Sequence, residues 1–176
     1  MNSIRLLKEQ LATAHKFLED TMQDVDESIA HTKAPGVAHN IAATYAHVVA
    51  SEDMLLNSTL QKKPTFMSTS WADKDGMNIP HPAVTQNWEH DYKEWADSVR
   101  VDLPALREYA QMVYQATDDY IGNLREIDLD REIDFPGMGM LSVGWIISNF
   151  IIGHTNSIMG EIAALKGAQG LKGYPF

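Results

Sequence analysis

Apolar residues recur every three or four positions in several stretches of the chain, which is the period of an amphipathic α-helix. The first helix is predicted from Ser3, its N-cap, to about Ile29. Its apolar stripe comprises Leu7, Leu11, Ala14, Leu18, Met22, Val25 and Ile29. The sequence Lys33-Ala34-Pro35-Gly36 breaks the pattern, and a second helix is predicted from Val37 to about Leu60.

A long connection without regular periodicity follows, from Gln61 to about Gln86. It contains the chain-breaking residues Pro64, Gly76, Pro80 and Pro82. Connections of this length are uncommon in compact domains unless they are functional or mobile. Because it also carries large apolar residues, we expect it to fold over one end of the helices.

The pattern then predicts two further helical regions. The third begins near Trp88 and restarts at Asp102, with Pro104 tolerated in the opening turn. A loop or small hairpin is predicted from Asp130 to Ser142, before a last helix that runs to about Gly167. The remaining tail, residues 170–176, is predicted to fold back as an irregular cap.

Four long helices with one long middle connection predict an all-α fold of one domain, residues 1–176. The predicted architecture is a four-helix bundle with up-down-down-up topology. The long crossover loop between helices 2 and 3 lets these two helices run parallel, whereas the shorter links favour antiparallel neighbours.

Composition narrows the possible functions. The chain has 176 residues, no cysteine and a formal net charge of −10. Disulfides, thiolate ligands and cysteine nucleophiles are therefore excluded, and no basic stripe supports nucleic-acid binding. The amino terminus lacks the pattern of a signal peptide, and the most apolar run, Trp145 to Ile152, is too short to cross a bilayer. We expect a cytoplasmic protein without a membrane or nucleic-acid partner.

Candidate chemistry comes from polar residues on apolar helix faces. When successive residues of the last helix are placed about 100° apart, His154 and Glu161 fall among its apolar positions. These positions are Val143, Ile147, Ile151, Ile158 and Leu165. Burying such groups costs several kcal/mol unless they are paired, so a metal, a ligand, a water or a second polar side chain must meet them.

The second helix offers partners for these groups. Glu52 falls on its apolar face, and a polar row follows one border of that face. The row comprises Asn40, Thr44, His47 and Ser51. In helical bundles, inward polar side chains from facing helices form metal and cofactor sites.

A structural role is the alternative for each candidate. His154 can be a hydrogen-bonded core histidine, His47 a half-exposed one, and Glu52 and Glu161 hydrogen-bond partners rather than ligands. Trp88 and Trp95 are interpreted as core packing. The other histidines are predicted to lie on the surface or in loops, namely His15, His31, His39, His81 and His90.

Three segments resemble the DinB/YfiT-like family. Residues 40–53, with His47 followed five residues later by Glu52, are similar to the family's second helix. Residues 154–167, which include Gly160-Glu161-Ile162, resemble its fourth helix, and the ending Gly-Leu-Lys-Gly-Tyr-Pro-Phe resembles the tail of one branch.

The resemblance implies a bundle that is frequently a homodimer and holds a divalent metal, often nickel or zinc. By position the ligands are His47, His154 and residue 158. This chain has Ile158 there, which cannot coordinate a metal, and two histidines alone are a poor zinc site. Glu161 lies about 10 Å from His154 along the helix axis and reaches a shared ion only if both side chains extend toward each other. Glu52 or a residue of the long loop is the alternative third ligand.

Three hypotheses follow. The first is a DinB-like protein whose pocket between helices 2 and 4 binds a small molecule, with an incomplete metal centre and Glu52 and Glu161 as binding residues. The second is a metal-dependent enzyme, of the thiol transferase or hydrolase type, that uses His47 and His154. The third is a non-enzymatic dimerising module, in which His154, Glu161 and Glu52 form an internal hydrogen-bond network.

Overall fold

The computed structural model describes residues 2–33, 36–85 and 87–176. The fold is mostly helical, with one small two-stranded sheet. Helix α1 (Ser3–Met22) is capped by Asn2, whose side chain accepts from the N–H of Arg5, so the prediction of Ser3 as the cap is wrong by one residue.

The predicted continuous first helix to Ile29 is also wrong, because the chain leaves the helix after Met22. Asp26 then caps a separate short helix, α2 (Glu27–Ala30), by accepting from the N–H of Ile29. A carboxylate used in this way competes with continued helix formation. Of the predicted break at residues 33–36, Ala34 and Pro35 lie outside the described residues.

Helix α3 (Ile41–Asp53) begins at its cap Asn40, which accepts from the N–H of Ala43. The predicted start at Val37 is therefore four residues early, and Val37 is almost fully exposed. Helix α3 continues directly into a π-helix, Met54–Gln61, which ends where Lys62 adopts a left-handed conformation with φ 57°.

The predicted restart of the third region is confirmed. Helix α4 (Trp88–Ser98) ends in an extended residue, and Asp102 caps helix α5 (Leu103–Gly122) by accepting from the N–H of Ala105. The preceding long connection packs on the core through Phe66, Met67, Trp71 and the buried Met77.

The predicted small hairpin is present. A 3-10 helix (Glu126–Asp130) leads into strands β1 (Glu132–Phe135) and β2 (Gly139–Ser142), which pair antiparallel.

The last helical segment starts at the cap Ser142 and consists of three parts. These parts are α6 (Val143–Trp145), a π-helix (Ile146–Gly153) and α7 (His154–Ala168).

Four long helical segments pack around the core. Helix α1 contacts α5 and α7, and helix α3 contacts the same two helices from the other side. The tail folds back as predicted, because Gly173 lies against the backbone of Ala163 and Phe176 contacts Phe17. Within the described ranges, no helix combines the length and apolar character needed to span a bilayer.

Candidate functional site

Helices α3 and α7 bring two of the predicted site residues together. His47 lies in the middle of α3, and His154 is the first residue of α7, directly after the π-helix. Their imidazole rings meet edge to face, with 5.0 Å between ring centres and 81° between ring planes. The two residues that the sequence assigns to a metal site are therefore neighbours inside the molecule.

The long connection adds a third imidazole to this pair. The ring nitrogen Nε2 of His81 lies 2.9 Å from Nδ1 of His47, and the two ring centres are 5.2 Å apart. His81 lies in the long connection, as one of the two predicted alternatives has it, but its side chain is buried rather than on the surface. We call His47, His81 and His154 the histidine cluster.

Aromatic side chains of α4 hold His81 in place. The ring of Trp95 lies 4.6 Å from that of His81, and its indole N–H donates to the carbonyl of Ile79. Trp88 and Tyr92 lie against both His47 and His81. The predicted core role of the two tryptophans is thus incomplete, since they also form one wall of the cluster.

A backbone bridge between Met77 and Val101 fixes the same part of the connection to the start of α5. The N–H of Asn78 donates to the carbonyl of Arg100 at 3.1 Å, and the N–H of Arg100 donates to the side chain of Asn78 at 2.6 Å. These contacts lie within five residues of His81, so the position of its ring is determined by the fold rather than by a free loop.

Burial keeps the three imidazoles neutral. Loss of solvent lowers the pKa of His47 to about 2 and that of His81 to about 4, with smaller contributions from the neighbouring histidines. Burial also lowers the pKa of His154, against the opposing charge of Glu52. Neutral imidazoles keep a lone pair that can accept a hydrogen bond or bind a metal.

The cluster borders a cavity of about 670 Å³ between α3 and α7, which we call the α3–α7 pocket. Its polar lining consists of His47, Ser51, Thr59, Asn149, His154 and Ser157. Its apolar lining consists of Met54, Leu55, Val84, Trp88, Phe135 and Phe150. Both π-helices contribute to the walls, and π-turns within α-helices are frequent at functional sites.

The two predicted acidic residues do not join this pocket. Glu52 is buried behind it, where one carboxylate oxygen lies 2.8 Å from Nε2 of His15. Its other oxygen, Oε1, has no hydrogen-bond partner among the residues that the structure describes. Glu161 is exposed, so the prediction that it faces the core is wrong. The network predicted for a purely structural role, in which Glu52 and Glu161 bond to His154, is therefore not formed.

His15 is a second histidine that the sequence analysis placed on the surface and that the structure buries. Its ring stacks on Tyr114 with 3.7 Å between ring centres. Its position on the apolar face of α1, next to Ala14 and Leu18, is the signal that identifies it as buried. His81 carries no such signal, because its segment has no periodicity.

Asp53, next to Glu52, is a buried acid of a different kind. Its carboxylate accepts from the N–H groups of Phe66 and Met67, both at 3.0 Å, from the amide of Asn57 at 2.6 Å and from the phenol of Tyr109 at 2.5 Å. We call this group the Asp53 anchor. It ties the start of the long connection to α3 and α5, and the sequence analysis missed it.

The histidine cluster offers the imidazole nitrogens that transition-metal ions prefer, but its rings do not converge on one point. In the described parts of the chain, no three His, Asp or Glu side chains have the arrangement of a preformed metal site. The nitrogens of His47 and His81 face each other at 2.9 Å, and His47 is the ring that contacts both of the others. Residue 158 is a buried isoleucine and contributes no ligand.

Comparisons with known proteins agree with this architecture. No curated protein sequence matches the chain. A crystal structure of a conserved protein from Enterococcus faecalis superimposes with a TM-score of 0.76 at 21% identity, and the match covers 94% of this chain and 96% of that one. The sequence profile of the DinB superfamily matches residues 10–162, and the chain belongs to this superfamily.

Proposed function

We propose that this DinB-superfamily protein binds a small molecule in the α3–α7 pocket. The single observation that carries the proposal is the position of the histidine cluster, two of whose neutral imidazoles line a cavity of about 670 Å³. Cavities of roughly 300–1,000 Å³ that combine apolar walls with a few polar groups are typical ligand sites.

The lining defines the chemistry of the ligand. None of the described residues around the pocket is Lys, Arg, Asp or Glu. A polar head is therefore bound by imidazole, hydroxyl and amide groups rather than by an ion pair. Phe135, Phe150 and Leu55 offer contacts to an apolar body, so the pocket favours a compact amphipathic molecule.

A second function, that of a metal-dependent enzyme, is favoured by the third imidazole. An ion held by His47 and His154 would supply Lewis acidity at the polar end of the pocket. Ser51 and Ser157 also line the pocket, where their hydroxyls can orient a ligand. We assign no reaction, because these residues fit both binding and catalysis.

The topology of the helical bundle and the oligomeric state of the protein are also part of the proposal. The packing of α1 and α3 against both α5 and α7 supports the up-down-down-up bundle, with the long connection as the crossover. A homodimer, a cytoplasmic location and the absence of nucleic-acid and membrane partners remain predictions from the sequence.

Blocking the pocket tests the proposal. The probe is the dye 8-anilinonaphthalene-1-sulfonate, which has an apolar body and a polar head. Ser157 is exposed at the pocket, one helical turn from His154, so Ser157→Phe places a ring inside the cavity. We expect dye affinity, followed by fluorescence titration, to fall by about tenfold or more, which corresponds to about 1.4 kcal/mol.

Ser148→Phe is the matched control, because Ser148 is exposed on the same helical segment and is not part of the pocket lining. It should bind the dye like the wild type. Equal affinities for all three proteins would refute binding in the α3–α7 pocket.

A further inference from the structure

We propose that His81 is the third protein ligand of a divalent transition-metal site that it forms with His47 and His154. In this chain His81 takes the place of a ligand at position 158, where the buried Ile158 cannot coordinate an ion. The inference deepens the proposed function and rests on it, because the ion would lie at the polar end of the α3–α7 pocket.

Two of the three ring spacings in the histidine cluster match those of a metal centre. Imidazoles bound to one tetrahedral ion at metal–nitrogen distances of about 2.0–2.1 Å have ring centres about 5 Å apart. The ring centres of His47 and His81 are 5.2 Å apart, and those of His47 and His154 are 5.0 Å apart. His47 is thus close enough to share an ion with each of the other two rings. His81 and His154 make no ring contact with each other, so coordination by all three imidazoles requires these side chains to move.

The orientation of His81 is that of a histidine prepared to bind a metal. Its Nδ1 lies 3.0 Å from the carbonyl oxygen of Pro82, to which it donates. A neutral imidazole that donates through Nδ1 has its lone pair on Nε2, the atom that faces His47. Metal-binding histidines almost always donate their second nitrogen to a carbonyl or carboxylate, which fixes the ring and its tautomer.

Aromatic residues hold the ring of His81 in this orientation, and the α3–α7 pocket leaves one coordination position of the ion open. Trp88, Tyr92 and Trp95 enclose the ring of His81, so it cannot turn away into solvent. His47 and His154 line the pocket, so a fourth position faces the cavity. Three imidazoles with one open position suit zinc, and imidazole also suits nickel.

Binding of the ion replaces the hydrogen bond between His47 and His81. In the metal-free protein Nδ1 of His47 donates to Nε2 of His81. The ion takes the place of the shared proton, which moves to the other nitrogen of His47, so both rings remain neutral. A donor atom of the small molecule in the pocket, oxygen, nitrogen or sulfur, completes the coordination.

Cobalt(II) titration of the full chain, purified without a histidine tag, tests the inference. Four-coordinate cobalt absorbs visible light strongly, and affinity is measured by competition with a chromogenic chelator. We expect one ion per chain for the wild type and a loss of about 100-fold or more in affinity for His81→Ala. His90→Ala is the control, because His90 is exposed on α4, and it should bind like the wild type.

Cobalt binding that is equally tight in His81→Ala, or absent from the wild type, would overturn the inference. Circular dichroism of the metal-free variants verifies that they are folded. Should His81→Ala fail to fold, cadmium-113 NMR of the ¹⁵N-labelled wild type decides: coupling to three imidazole nitrogens supports His81 as a ligand, and coupling to two contradicts it. Because no small molecule is added, failure here leaves the dye experiment on the pocket unaffected.

Discussion

Helix α3 carries two buried polar groups less than two turns apart that are treated in opposite ways. Asp53 has four hydrogen-bond donors around its carboxylate, from the long connection, the π-helix that follows α3, and α5. Among the described residues, His47 has hydrogen-bond contacts only with His81 and Ser51, and it borders a cavity. Asp53 therefore stabilises the fold, whereas His47 is available to a ligand. A polar group in the interior that lacks a full set of protein partners needs such an explanation.

The largest expected effect comes from breaking the Asp53 anchor. Asp53→Ala leaves two backbone N–H groups, an amide and a phenol without their acceptor, and each stranded buried donor costs about 1–3 kcal/mol. We expect the free energy of unfolding, measured with urea, to fall by about 4 kcal/mol or more. Asp134→Ala, at an exposed position of the hairpin, should change it by less than about 0.5 kcal/mol.

Asp53→Ala should leave the cobalt affinity of the folded fraction close to that of the wild type, because Asp53 bonds to none of the three histidines. A loss of cobalt affinity as large as that of His81→Ala would show that the histidine cluster depends on the Asp53 anchor for metal binding.

Lowering the pH should decrease the unfolding free energy of the metal-free protein, because the buried histidine cluster disfavours protonation. Burial lowers the pKa of His47 to about 2 in the native state, whereas the ring titrates near 6.5 when unfolded. The unfolded chain therefore binds more protons below pH 6.5, and the stabilisation is present above that pH and lost as the pH falls.

The variant His47→Gln measures how much of this loss of stability in acid comes from the ring of His47. Between pH 7 and pH 5.5, in the presence of a chelator, the variant should lose about 1 kcal/mol less stability than the wild type. The measurement is urea denaturation at both pH values. An identical loss in both proteins would mean that His47 is not kept neutral by burial.

The smallest expected effect belongs to Glu52. Its Oε2 is paired with His15, and its Oε1 has no partner in the described part of the chain, so an amide can keep the hydrogen bond to His15. Glu52→Gln should change the unfolding free energy by less than about 1 kcal/mol. A decrease as large as that of Asp53→Ala would show that Glu52 stabilises the fold as strongly as the Asp53 anchor does.

The helices and their order follow from the spacing of apolar residues, because one face of each helix is buried. The same spacing predicts that His47 and His154 meet, since each lies on or beside such a face. The helix starts are less accurate: the predicted start at Val37 precedes the cap at Asn40, because the apolar Val37 fits the helical period although it is exposed.

The error at Glu161 has a physical cause in the π-helix Ile146–Gly153. A π-turn adds a residue to the helical repeat, so it rotates everything that follows relative to an ideal α-helix. The deeply buried Thr155 and Ile162 each lie one position beyond the predicted His154 and Glu161, whereas Ile158 and Leu165 are buried as predicted. The centre of the buried face of α7 is therefore shifted by about one residue from the position that the periodicity predicts.

The burial of His81 cannot be predicted from the spacing of apolar residues, for another reason. Its segment is extended and irregular, and its burial depends on contacts with α4 and with the start of α5. These contacts form only in the folded chain, between residues more than ten positions apart. Consequently the sequence predicts two imidazoles of the cluster, and the structure supplies the third.

The most direct measurement is an anomalous difference map from crystals of the wild-type protein grown with zinc. The account predicts one peak, within about 2.3 Å of a ring nitrogen of each of His47, His81 and His154. The nitrogens of His47 and His81 would then be further apart than the present 2.9 Å. A peak that contacts only His47 and His154, or an intact hydrogen bond between His47 and His81 without any peak, would contradict it.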